Sequence, residues 1–179
     1  MKTINRQSGK STPAADWANK DSLELIEHII KRYHDYLRRE LPRISHLFQE
    51  VAEGRLEQPP EFLKLKEIYE SFRTAIEEHR EKEEQVFYPL CHRLEANGNK
   101  ISGEGDDVQG WTDELMQEHG EVEDALAWMS DLTHCFKAPA DASDSLRELL
   151  AGLAALKRDT HEHIYVENEV LFPKVILLG

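Results

Sequence analysis

From Leu23 onward the chain repeats apolar residues at steps of three and four: Leu23, Ile26, Ile30, Tyr33, Leu37, Leu41, Ile44, Leu47 and Val51. That period matches one face of a helix and predicts a first helix of about thirty residues. Asp21, with Glu24 three positions on, has the spacing of a capping box and sets the start. Pro42 falls inside the stripe, where it is expected to kink or divide the helix, because it lacks an N–H and crowds the preceding turn. A second stripe runs through Phe62, Leu65, Ile68, Phe72 and Ile76, then Val86, Leu90 and Leu94. Gly54 with Pro59-Pro60 punctuates the chain before it, and Asn97-Gly98 after it. Residues 97–110, with four glycines, read as an exposed loop. The third stripe starts near Thr112 and carries Leu115, Val122, Leu126, Met129, Leu132 and Phe136. After a turn over Pro139 to Ser145, the fourth carries Leu146, Leu149, Leu153, Leu156, Val170 and Leu171, with Ser145 and Glu148 as its expected capping box. Strand-type alternation competes nowhere. Four long amphipathic helices predict an all-α, antiparallel four-helix bundle about 40 Å deep at 1.5 Å per residue.

Residues 1–20 show no apolar period and read as a flexible leader, leaving 21–179 for the bundle. A net charge of −13 over 179 residues argues against nucleic acid and anionic membrane surfaces, both of which call for basic patches. No apolar run is long enough for a membrane span, and the N-terminus lacks the apolar segment of a secretory signal. Two cysteines, Cys91 and Cys135, make no disulfide framework. Together these point to a cytoplasmic protein.

The chemistry lies in polar residues that interrupt the stripes without leaving them. His34 falls between Ile30 and Leu37, and His119 between Leu115 and Val122. His79 and Glu83 continue the second stripe; His163 and Glu167 continue the fourth. A spacing of four puts each His-x-x-x-Glu pair on one helix face, one turn apart. Imidazole and carboxylate can then point at one metal, or at two with the carboxylate bridging. Carboxylates in a dry core demand cations or dense hydrogen bonding. Four imidazoles and two carboxylates suit a transition metal such as iron better than Ca²⁺ or Mg²⁺, and they exceed what one tetrahedral zinc needs. Two ions with open positions fit the number of ligands.

An internal repeat supports this. His79 to Pro89 (HREKEEQVFYP) aligns with His163 to Pro173 (HIYVENEVLFP), and His34 and His119 precede their pairs by nearly equal intervals. The chain therefore reads as two helical hairpins related by a pseudo-two-fold axis. A lone histidine on a seam is usually a hydrogen-bonded core residue, and a lone His-x-x-x-Glu is usually a surface pair. Six such residues with matched spacing and matched Val-aromatic-Pro tails are different. The remaining histidines are expected outside the site: His161 on another face, His28 well around the helix from His34, and His46, His92 and His134 at the surface. Tyr33 and Tyr165 adjoin candidate ligands and are expected mainly to pack, while Glu81, Glu84 and Glu118 read as solvated charge.

These residues resemble the hemerythrin-like proteins with HHE cation-binding repeats, and within them the bacterial di-iron proteins that repair iron–sulfur clusters after nitrosative or oxidative stress. Leu25 to Pro42, the two repeated segments and Glu118-His119 carry the resemblance, over roughly residues 21–178. It implies that His34, His79, His119 and His163 are terminal ligands of two Fe ions. Glu83 and Glu167 would then be bridging carboxylates, beside an oxo or hydroxo bridge. Mn or a mixed Fe/Mn pair accepts the same ligands. The implied function is to bind or react with O₂, NO or peroxide, with electrons from a separate donor; the alternative is a non-catalytic oxygen, NO or iron sensing or storage module. Cluster-repair relatives carry an N-terminal domain with adjacent cysteines, whereas here no Cys precedes Cys91. Whatever that domain does for delivery or reduction is then expected to be missing here or supplied by another protein.

Overall fold

In a computed structural model of the chain, residues 20–54, 60–97 and 107–178 are described. The expected leader and most of the loop expected between the second and third helices lie outside them. Among the described residues all regular elements are helical: α1 (Ser22–Ile29), a π turn π1 (Ile30–His34), α2 (Asp35–Glu53), α3 (Pro60–Lys82), π2 (Glu83–Phe87), α4 (Tyr88–Asn97), α5 (Val108–Leu132), α6 (Asp144–Val166), π3 (Glu167–Leu171) and α7 (Phe172–Ile176). They join into four long helices, α1–π1–α2, α3–π2–α4, α5 and α6–π3–α7, forming the expected bundle. The lower halves pack α2 on α6 and α3 on α5; the upper halves pack α1 on α4 and α5 on α7.

The helix starts follow side-chain capping. The Asp21 carboxylate accepts from the Glu24 N–H at 2.7 Å, as its spacing predicts. The third helix starts at Val108, four residues before the expected Thr112, because Asp107 caps it by accepting from the Gly110 N–H at 2.8 Å. Gly110 permits that cap, since a Cβ there would lie 2.3 Å from Asp107 Oδ2. The fourth helix is capped by Ser143, not Ser145; the Ser143 hydroxyl accepts from the Leu146 N–H at 3.2 Å. Phe136 is not in the third helix. Its φ is 58°, and with His134 (50°) and Cys135 (61°) it forms a left-handed turn after Leu132. The helix nevertheless runs unbroken through Pro42, which sits on the exposed side where its missing N–H can be replaced by solvent.

The π turns correct the apolar stripes. Each inserts a residue into the helical ladder and rotates the residues beyond it. Leu25, Ile26 and Ile29 are therefore buried ahead of π1, with Leu23 and Ile30 only partly covered. Around π2, Val86 turns outward at 40 % exposure while Phe87 and Tyr88 are buried. The core divides into two clusters. A lower one holds Leu37, Phe48, Tyr69, Phe72, Leu126 and Leu153, and an upper one holds Leu25, Ile29, Phe87, Leu115, Phe172 and Val175. The six seam residues occupy the layer between them.

Candidate metal centre

The bundle brings His34, His79, Glu83, His119, His163 and Glu167 together, each at most 2 % exposed. The π turns help to aim them, since π1 ends at His34, π2 begins at Glu83 and π3 begins at Glu167. Two overlapping groups result, His34, Glu83, His163 and Glu167, and His79, Glu83, His119 and Glu167, each with its donor atoms within 4.8 Å of one another. The carboxylates belong to both groups and the imidazoles to one each. Glu83 directs Oε2 to His34 Nε2 and Oε1 to His79 Nε2, both at 3.2 Å. Glu167 directs one oxygen, Oε2, to both His119 Nε2 and His163 Nε2, again at 3.2 Å.

Most of these atoms converge on shared points instead of bonding to each other. His34 Nε2, both Glu83 oxygens, His163 Nε2 and Glu167 Oε2 have no hydrogen-bond partner among the described residues. A buried polar atom left in this state costs about 1–3 kcal/mol, and coordination to cations would satisfy all five. The mixed nitrogen and oxygen donor set, with carboxylates shared between two groups, fits a pair of transition-metal ions. The residues present therefore fit a metal pair.

The far side of three imidazoles is held by acidic or amide groups. Glu84 Oε1 lies 2.7 Å from His34 Nδ1, Glu118 Oε2 lies 2.8 Å from His79 Nδ1, and Asn168 Oδ1 lies 2.9 Å from His119 Nδ1. Arg38 donates to Glu84 at 2.6 Å, and Lys82 pairs with Glu118. Such partners fix the tautomer so that Nε2 faces inward as an acceptor for metal. Glu84 and Glu118 are thus corrected from solvated charge to partners of the histidines. Without bound ions, burial would lower His34 and His79, but facing carboxylates outweigh it, lifting His34 to about 9 and His79 to about 10, so each gives up its Nε2 proton when an ion binds. The hydrogen bond from His79, with Lys82 assisting, holds Glu118 down to about 2.

Tyr88, like Asn168, is a residue that the sequence reading missed. Fully enclosed beside the site, it donates its hydroxyl to Glu167 Oε1 at 2.7 Å. Burial, with the adjacent Glu167, pushes its pKa well above the usual phenol value, so it remains a donor. The repeat alignment contained a signal, because Tyr88 and Phe172 occupy the same place in the two segments. Of the two tyrosines considered, Tyr33 is buried and stacks on His163 with centroids 5.1 Å apart, whereas Tyr165 is half exposed. Arg32, 2.6 Å from the largely buried Asp159, lies over the Tyr33 ring. His161 faces outward, 2.9 Å from Glu123; His46, His92 and His134 are exposed, and His28 is half-buried against the edge of Tyr33. Among the described residues, no helix is long and apolar enough to cross a membrane.

The chain is similar to proteins named for one activity. It is 30 % identical over 154 residues to the iron–sulfur cluster repair protein ScdA of Staphylococcus haemolyticus, covering 86 % of this chain and 67 % of the relative. It is 28 % identical over 175 residues to ScdA of Staphylococcus epidermidis, covering 96 % and 74 %. It is also 28 % identical over 161 residues to the iron–sulfur cluster repair protein YtfE of Escherichia coli, covering 90 % and 69 %. The sequence model of the hemerythrin HHE cation binding domain matches residues 25–175, nearly the whole bundle with its six buried histidines and glutamates; the chain belongs to that metal-binding family.

Proposed function

We propose that the protein is a non-haem di-iron protein of the cytoplasm that reacts with O₂, NO or peroxide and serves the repair of iron–sulfur clusters. His34 and His163 would hold one ion and His79 and His119 the other, with Glu83 and Glu167 shared between the two groups. The observation that carries this reading is the buried layer of six donors in which five inward-facing atoms have no hydrogen-bond partner. Iron held by these residues would supply redox chemistry toward a small diatomic ligand. Mn in one or both positions suits the same donors. The protein residues orient the imidazoles through Glu84, Glu118 and Asn168, fix one carboxylate through Tyr88, and exclude bulk water with apolar clusters on both sides. Electrons come from a separate donor.

The names of the relatives support the repair assignment. Reactivation of an NO-damaged iron–sulfur enzyme by the iron-loaded protein tests it. Rescue that disappears in Glu83→Leu and Glu167→Leu is expected. Binding of NO or O₂ without any rescue overturns repair in favour of sensing or storage.

A further inference from the structure

The two carboxylates at the centre are chemically alike and differently held. The repeat places Glu83 opposite Glu167 and Tyr88 opposite Phe172. Both aromatic rings take the same position in their halves. Tyr88 lies along His34 with centroids 5.9 Å apart and an interplanar angle of 17°, and Phe172 lies along His119 at 5.8 Å and 2°. Only one of them carries a hydroxyl, and it donates to Glu167 Oε1. Neither oxygen of Glu83 accepts a hydrogen bond from the described residues.

The difference shows in how each carboxylate presents itself. With Oε1 engaged by Tyr88, Glu167 offers Oε2 alone to both histidine pairs; Glu83 offers a separate oxygen to each. Tyr88 is itself fully enclosed and cannot swing its hydroxyl away without displacing the core around Phe87. Glu167 therefore has an anchor that is not itself a candidate metal ligand, while Glu83 faces only the imidazoles of His34 and His79.

We propose that Tyr88 is a positioning residue that locks Glu167 in place and leaves Glu83 as the carboxylate that shifts, so that Glu83 opens a position on the ion pair when a small ligand enters. This inference rests on the two-ion reading above. Had both halves carried tyrosine, both carboxylates would be pinned. Had both carried phenylalanine, neither would be distinguished.

The test compares crystal structures of the Fe(II)-loaded chain with and without azide, used as a small anionic probe. Glu83 is expected to move from two ions to one when azide binds, with Glu167 and its contact to Tyr88 unchanged. Movement of Glu167, azide bound with both carboxylates fixed, or no azide bound at saturating concentration overturns the proposal. Two variants give a readout that a merely structural role for Tyr88 would leave unmoved. Phe172→Tyr supplies Glu83 with an anchor and is expected to weaken azide binding at least about tenfold, set by the loss of one accessible carboxylate arrangement, with two ions per chain retained. The exchanged pair Tyr88→Phe with Phe172→Tyr is expected to reverse which glutamate moves; no reversal in a folded exchanged protein also overturns the proposal. If the exchanged chain does not fold, the wild-type comparison decides. Fewer than two ions per wild-type chain overturns the two-ion reading itself, whereas two ions with an immobile Glu83 overturns only this inference.

Discussion

Stripping metal from the protein should cost far more stability than removing a surface ion. Five inward-facing atoms, His34 Nε2, Glu83 Oε1 and Oε2, His163 Nε2 and Glu167 Oε2, have no hydrogen-bond partner in residues at most 2 % exposed. At about 1–3 kcal/mol for each orphaned buried group, even partial relief by coordination is worth about 5 kcal/mol. For a domain of this size, about 2–4 °C accompanies each kcal/mol, so the loaded form should melt roughly 10–20 °C above the stripped form. The same shift arises from mass action if free metal exceeds its dissociation constant by about a thousandfold or more. Differential scanning calorimetry of purified, chelator-stripped and reloaded protein measures it. The paired variant Glu83→Leu/Glu167→Leu supplies the opposite sign. Lacking two buried carboxylates, it should melt at or above the stripped wild type and should not respond to metal. Loaded and stripped wild type melting within about 2 °C of each other would refute the reasoning, because the core would then be satisfied without ions.

Other consequences are more local. Glu84→Gln and Glu118→Gln remove the charge behind His34 and His79 and should each weaken metal affinity by about 10–100-fold with the fold intact; chelator competition checks this, and unchanged affinity contradicts the role given to them. Tyr69→Phe deletes a buried hydroxyl that donates to the Leu41 carbonyl at 2.6 Å and should cost about 1 kcal/mol in a denaturant titration without altering metal content. Asp21→Ala removes the cap of the first helix and should likewise cost about 1 kcal/mol, again with metal content unchanged; a cost within error would argue against the cap.

How much of this was legible beforehand depends on the period of the structure that carries it. A 3.6-residue repeat exposed four helices and showed six polar residues that break the apolar stripes without leaving them; the fold brings those six into one layer. Three π turns do not announce themselves in such a repeat, because a single inserted residue only shifts the pattern. Val86 consequently read as core in place of Phe87 and Tyr88, and Leu23 and Ile30 in place of Leu25 and Ile29. Glu84 and Glu118 read as solvated charge because each is partly covered, about a quarter exposed, with its role defined by a histidine on another helix. Asn168 and Tyr88 had a signal in the repeat, as the partners of Glu84 and Phe172, but a departure from internal symmetry acquires meaning only when the facing group is known. Helix ends followed the side chain that reaches back to a free N–H, so Asp107 and Ser143 displaced starts inferred from apolar period and box spacing.

The central claim is that these six residues hold two metal ions. Elemental analysis of protein purified without chelators, together with its visible absorption after oxidation, tests this most directly. The account predicts two transition-metal ions per chain, predominantly iron, with a visible charge-transfer absorption, and loss of both in the Glu83→Leu/Glu167→Leu pair. Less than one ion per chain and a featureless spectrum would contradict it.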